Sequence, residues 1–167
     1  MKVVITGIGA VTPLGLTAEA SLAGVREGRS GIGMLERVID RDDITSLDVK
    51  IGGQVRQFAP DLPPADLRRL DPQAQYAIVA GLEAAEGFTA RDPERFGIPS
   101  ATSSGPVTLM QEATRTLDAE GPKRVLPGAV IYGGSDAAAA YLSVRLGARG
   151  ETFGVGATCA SGAVAMG

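Results

Sequence analysis

Apolar and polar residues alternate between two rhythms along the chain, and the rhythm predicts its elements. The opening "KVVITGIGAV" is almost continuously apolar and bounded by glycine, which predicts a buried strand over residues 2–6 running into a tight turn. "TAEASLAGVREG" changes to helical spacing, with Ala18, Leu22 and Val25 on one face and Gly28 as the stop. "RSGIGMLERVIDRDDITSLDVK" has no clean period and reads as a loop with a short helical turn. "VKIGGQV" follows as an edge strand weakened by its glycines. "PADLRRL" is one short helix opened by Pro64. The strongest pattern is "DPQAQYAIVAGLEAAEG": Asp71 caps it and Pro72 sits in its first turn. Ala74, Ile78, Leu82 and Ala85 form its buried stripe, with Glu83 and Glu86 outside.

The second half repeats the alternation. "FGIPSATSS" predicts another buried strand, with Pro99 awkward inside it. "PVTLMQEATRTLDAEG" is a helix ended by Gly121, and "GPKRVLPGAVIYGG" is a punctuated loop. "SDAAAAYLSVRLG" is a helix capped by Ser135 or Asp136. "ETFGVGA" is a short strand, and "CASGAVAMG" begins a further helix. Strands alternating with helices predict an α/β fold with a largely parallel sheet.

Composition narrows the chemistry. The 167 residues suit one domain, 1–167, and 44% hydrophobic residues suffice for a core. A net charge of −3 without a basic run gives no footprint for nucleic acid. No stretch is long enough to span a bilayer, and the N-terminus lacks the features of a signal peptide. One cysteine excludes an internal disulfide framework and points to a cytoplasmic chain. Histidine, the usual general base near neutral pH, is absent.

That single cysteine, Cys159, falls between a predicted strand and a predicted helix start. A strand-to-helix turn exposes its residue at the sheet edge. Partial positive charge and free N–H groups at the helix start favour a thiolate and can hold an oxyanion. Ala160, Ser161, Gly162 and Ala163 are small enough for close approach of a substrate. A small buried hydrophobe is the competing reading of Cys159. "GIGAVTPLG" lacks both the dinucleotide-binding spacing and a phosphate-binding lysine, so it reads as a tight strand exit. The acidic run at Asp40, Asp42 and Asp43 has no histidine to complete a metal site and reads as a solvated loop, so neither metal nor cofactor is expected. The pairs Arg68–Arg69 and Lys123–Arg124 read as surface residues suited to an acidic partner.

"VVITGIGAVTPLG", "LAGVREGRSGI", "LDPQAQYAIVAGLEAA" and "GATCASGAVAMG", in this order, resemble the N-terminal part of β-ketoacyl-acyl carrier protein synthases. The resemblance covers essentially the whole chain. It implies the N-terminal portion of a thiolase-like fold, a five-stranded sheet layered with helices and incomplete here. It also implies that Cys159 is the acylated nucleophile, with its backbone N–H in an oxyanion hole. The family's other catalytic groups, two histidines and a lysine, lie in its C-terminal portion, which activity would require in the same gene product or a separate chain. Ser104, Val130, Gly133 and Thr158 are implied as lining for the acyl group. Implied partners are acyl carrier protein, acyl and malonyl thioesters, and a second copy or related subunit. The strand over residues 152–157 would pair across that dimer, and the loop around Val130 and Gly133 would cross it. Thr158, Ser104, Glu151 and Asp136 depart from the family's usual residues. These departures fit a specialised polyketide-type synthase or its non-catalytic chain-length-factor partner, although the latter usually lacks the cysteine.

Overall fold

The computed structural model describes residues 3–36 and 47–167. The acidic run at residues 40–43 lies outside them. Two compact units are resolved, Met1–Pro60 with Val79–Glu86, and Asp61–Ile78 with Gly87–Gly167.

In the first unit, helix α1 (Ala18–Arg26) starts at Thr17, whose hydroxyl accepts from the Ala20 N–H at 3.1 Å. Its buried positions are Ser21 and Gly24, whereas Leu22 and Val25 are exposed, so the predicted face is rotated. Hydrogen bonding explains the rotation. The Ser21 hydroxyl meets the Thr12 hydroxyl at 2.9 Å and donates to the Gly15 carbonyl at 3.1 Å, which anchors the preceding turn. Strand β1 (Ile32–Met34) pairs antiparallel with β2 (Ile51–Gly53), aligning Ile32 with Gly53 and Met34 with Ile51. The edge strand is therefore found, and part of the expected loop is its partner.

The expected opening strand does not form among the described residues. Val3, Val4 and Ile5 are exposed, and no described strand lies beside them to supply a ladder. The glycines of "GIGAV" have a packing role. A Cβ at Gly7 or Gly9 would overlap the carbonyl oxygens of Ala84 or Ala80, so only glycine lets this backbone lie on the helix.

The second unit contains α2 (Pro64–Leu67) and begins α3 (Pro72–Ala84), whose residues from Val79 belong to the first unit. Ala74 and Ile78 are fully buried, whereas Leu82 and Ala85 of the predicted stripe are only half-buried, and Ala85 lies beyond the end of the helix. Glu83 is not a free surface residue. Its carboxylate accepts from the N–H groups of Ala10 and Ala18, each at 2.9 Å, and so binds the start of α1.

Strand β3 (Ile98–Ala101) leads through α4 (Val107–Glu120), α5 (Gly128–Tyr132) and α6 (Ala137–Leu146) into β4 (Thr152–Val155). The two strands pair in parallel, Ile98 opposite Thr152 and Ala101 opposite Val155. A parallel pair requires such a crossover, and α6 packs on both strands. Pro99 is tolerated because Ile98 and Thr102 donate their N–H groups to Glu151 and Val155 of the β4 side. Alternation then turns the proline nitrogen to the opposite edge, where no described strand supplies a ladder bond to lose. Helix α5 occupies part of the predicted loop. Asp136 precedes α6 without a side-chain capping bond, so neither expected cap forms, while Gly147 closes that helix at φ +69°.

Candidate functional site

Cys159 follows β4 on a single 3₁₀ turn, Thr158–Ala160, which leads directly into helix α7 (Ser161–Ala165). The strand–turn–helix order is the expected one. Cys159 is exposed among the described residues rather than packed in a core. Among the described residues no acceptor takes its backbone N–H. Ala160, Gly162 and Ala163 leave the approach open, and helix α7 packs on both β3 and β4.

Thr158 stands at φ +48°. A β-branched residue is sterically disfavoured there, at a cost on the order of 1–3 kcal/mol. Three hydrogen bonds surround the strained position. The hydroxyl of buried Ser161 accepts from the Ala157 N–H at 2.8 Å, and lies 2.7 Å from the Thr158 carbonyl and 3.2 Å from the Thr102 carbonyl.

Thr102 ends the β3 side of the ladder, and its own hydroxyl accepts from the Gly105 N–H at 3.1 Å. Beyond it opens a groove of about 410 Å³ lined by Ser104, Pro106, Val107, Met110, Gln111 and Thr114, with Arg115 at its end. Ser104 is therefore placed in an open concavity. Gly133, just after α5, does not line the groove but lies close to Met110: a Cβ there would lie 3.3 Å from the Met110 sulfur. Val130, on α5, points outward and is 88% exposed. Met110, in the middle of the groove-lining helix face, was not singled out by the sequence pattern. Its signal was positional: Pro106, Met110 and Thr114 fall at i, i+4 and i+8 along one helix face.

Asp71 sets where α4 begins. It is 3% exposed; one carboxylate oxygen accepts from Gln73 N–H at 3.0 Å, capping α3, and the other accepts from Leu109 N–H at 2.9 Å in the first turn of α4. One buried carboxylate thus satisfies two helix starts. Arg69 lines a second concavity with Leu109, Leu126, Ala129, Ile131 and Tyr132, while Arg124 is held by Glu120 at 3.0 Å. No cluster of histidine, cysteine and carboxylates able to hold a metal occurs among the described residues.

The chain is 30% identical to the chloroplastic 3-oxoacyl-[acyl-carrier-protein] synthase I of Arabidopsis thaliana over 96% of its own length, covering 35% of that protein. A β-ketoacyl synthase from Burkholderia phymatum superposes with a TM-score of 0.71 at 26% identity, over 98% of this chain and 41% of that one. A type II polyketide ketosynthase solved with its acyl carrier protein and a bound hexaketide gives 0.73 at 22% identity, over 95% of this chain and 38% of that one, a likeness of fold. The chain thus spans well under half the length of these relatives. The sequence model described as "Beta-ketoacyl synthase, N-terminal domain" matches residues 1–167, and the chain belongs to that family.

Proposed function

We propose that this chain is the acyl-accepting N-terminal domain, residues 1–167, of a β-ketoacyl-acyl carrier protein synthase, with Cys159 as its nucleophile. The observation that carries the reading is an exposed thiol on a strand-to-helix turn with an unengaged backbone N–H beside it. In the first step the sulfur attacks the carbonyl carbon of an acyl thioester. The acyl–sulfur bond of the carrier breaks, and the carrier thiol leaves with the proton. The Cys159 N–H is oriented to hydrogen-bond the transient oxyanion. In the second step a malonyl thioester loses carbon dioxide, and its carbanion attacks the acyl-cysteine. The new carbon–carbon bond releases the Cys159 thiolate. Donors for the decarboxylation come from the remainder of the synthase, since this chain has no histidine.

The groove holding Ser104 and Met110 takes the acyl chain, with Gly133 beside Met110, Thr158 narrowing the approach and Val130 facing a neighbouring subunit. The carrier is an acyl carrier protein, the partner in complex with which the type II polyketide ketosynthase was solved. Exposed Arg68 and Lys123 are available to its acidic surface. The edge of β4 away from β3 is unpaired among the described residues and carries Phe153, 45% exposed. Pairing of that edge in a dimer would cover it. The working compartment is the cytoplasm; no helix among the described residues is long and apolar enough to cross a membrane.

The test is peptide-resolved mass spectrometry of the complete synthase after incubation with an acyl-carrier thioester. The acyl group is expected on Cys159, with none on the Cys159→Ala variant. A Cys159→Ala protein that still forms product at the parental rate would instead support a chain-length-factor role.

A further inference from the structure

A hydroxyl offers one proton and two acceptor lone pairs. Ser161, only 4% exposed, uses both functions on the turn that bears Cys159. It accepts from the Ala157 N–H at 2.8 Å and gives its proton to the Thr158 carbonyl at 2.7 Å, with the Thr102 carbonyl sharing it at 3.2 Å. The first two partners lie on either side of Thr158, the residue at φ +48°. Without a constraint, a β-branched residue there relaxes toward negative φ. Cys159 is the next residue, so a rotation at Thr158 redirects its thiol.

We propose that Ser161 is a positioning residue for Cys159: its hydroxyl ties the Ala157 N–H to the Thr158 carbonyl, so bracketing the Ala157–Thr158 segment, holds Thr158 left-handed, and so fixes the direction in which the thiol is presented. The proposal rests on Cys159 being the acyl acceptor. Thr102 extends the clamp. Its carbonyl receives the shared Ser161 bond while its hydroxyl holds the N–H of Gly105, the residue between Ser104 and Pro106, which both line the groove. The thiol and the groove are thereby kept in one register.

The experiment compares Ser161→Ala, Ser161→Thr, Thr158→Gly and the Thr158→Gly/Ser161→Ala double variant in the complete synthase. Acylation of Cys159 by an acyl-carrier thioester is followed against substrate concentration, and melting temperature is recorded alongside. Ser161→Ala is expected to lower kcat for acylation about tenfold or more, with KM changed less than about twofold. Ser161→Thr keeps the hydroxyl and restores most of the rate. Glycine adopts positive φ without steric cost, so in the Thr158→Gly background loss of the hydroxyl should cost less than about threefold. Parental kcat in Ser161→Ala, or losses that simply multiply in the double variant, overturns the proposal. Should Ser161→Ala fail to fold, the double variant against Thr158→Gly decides by itself: similar rates support the clamp, and a tenfold drop refutes it. A parental protein left unacylated removes the acyl-acceptor reading. The clamp is then decided by the crystal structure of Ser161→Ala, supported by Thr158 at negative φ and refuted by φ still near +48°.

Discussion

At the scale of the residue, the roles proposed for Cys159 and Met110 are separately testable. On the proposed role of Cys159, removing the thiol takes away the covalent intermediate, so Cys159→Ala is expected to abolish condensation in the complete synthase, read by product analysis with carrier and malonyl thioesters. The acyl groove is tested at Met110. Replacing its flexible side chain with tryptophan fills the groove, and steric overlap raises the cost of longer chains by about 1–3 kcal/mol. Met110→Trp should therefore shift products toward shorter chains while acylation of Cys159 persists. An unchanged product distribution would remove the groove from the acyl path. Gly133 is a poor place for this experiment. Its Cβ would overlap the Ala129 carbonyl, so a substitution disturbs the end of α5 before it narrows anything.

At the scale of elements, buried polar side chains do the joining. Asp71 holds the first turns of α3 and α4 together. Asp71→Ala strands two N–H donors and should cost about 2–3 kcal/mol, measured by urea unfolding. An effect within about 0.5 kcal/mol would mean that water replaces the carboxylate. The Tyr141 hydroxyl, on α6, donates to the Asp66 carboxylate of α2 at 3.2 Å. Desolvation first, and then this bond, raise the phenol above its ordinary 10.0, against a smaller lowering influence of Arg145. A raised folded value means the tie's contribution is complete below pH 10.0 and is lost as pH climbs through that raised value. The melting-temperature difference between the parent and Tyr141→Phe should therefore shrink above pH 10.0 and stay constant below it.

At the scale of the whole molecule, the chain exposes apolar surface without described partners: Val3, Val4, Ile5 and Ile8 toward its start, and Val164 and Met166 on and beside α7. The same chain spans between 35% and 41% of the length of its curated relatives. We therefore expect the 167 residues alone to release no carbon dioxide from a malonyl thioester, and the complete synthase to do so. Turnover by the isolated chain near the rate of the complete synthase would require an acid or donor within these residues.

Local pattern determined much of this protein. Ala74 and Ile78 repeat at helical spacing and are buried in α3, Gly121 and Gly147 end their helices, and a strand, one thiol and a helix start follow one another at Cys159. These features depend on neighbours a few residues away, so sequence carries them. Features made by distant partners needed the tertiary structure. Ser21 is buried and Leu22 exposed because of Thr12 and Gly15; Glu83 is engaged by Ala10 and Ala18; Asp71 reaches Leu109; and residues 3–6 form no strand because a ladder requires a neighbour. The strain at Thr158 belongs to the same class. Its φ follows from a hydroxyl three residues ahead and from a carbonyl on another strand exit, and no periodicity encodes that meeting.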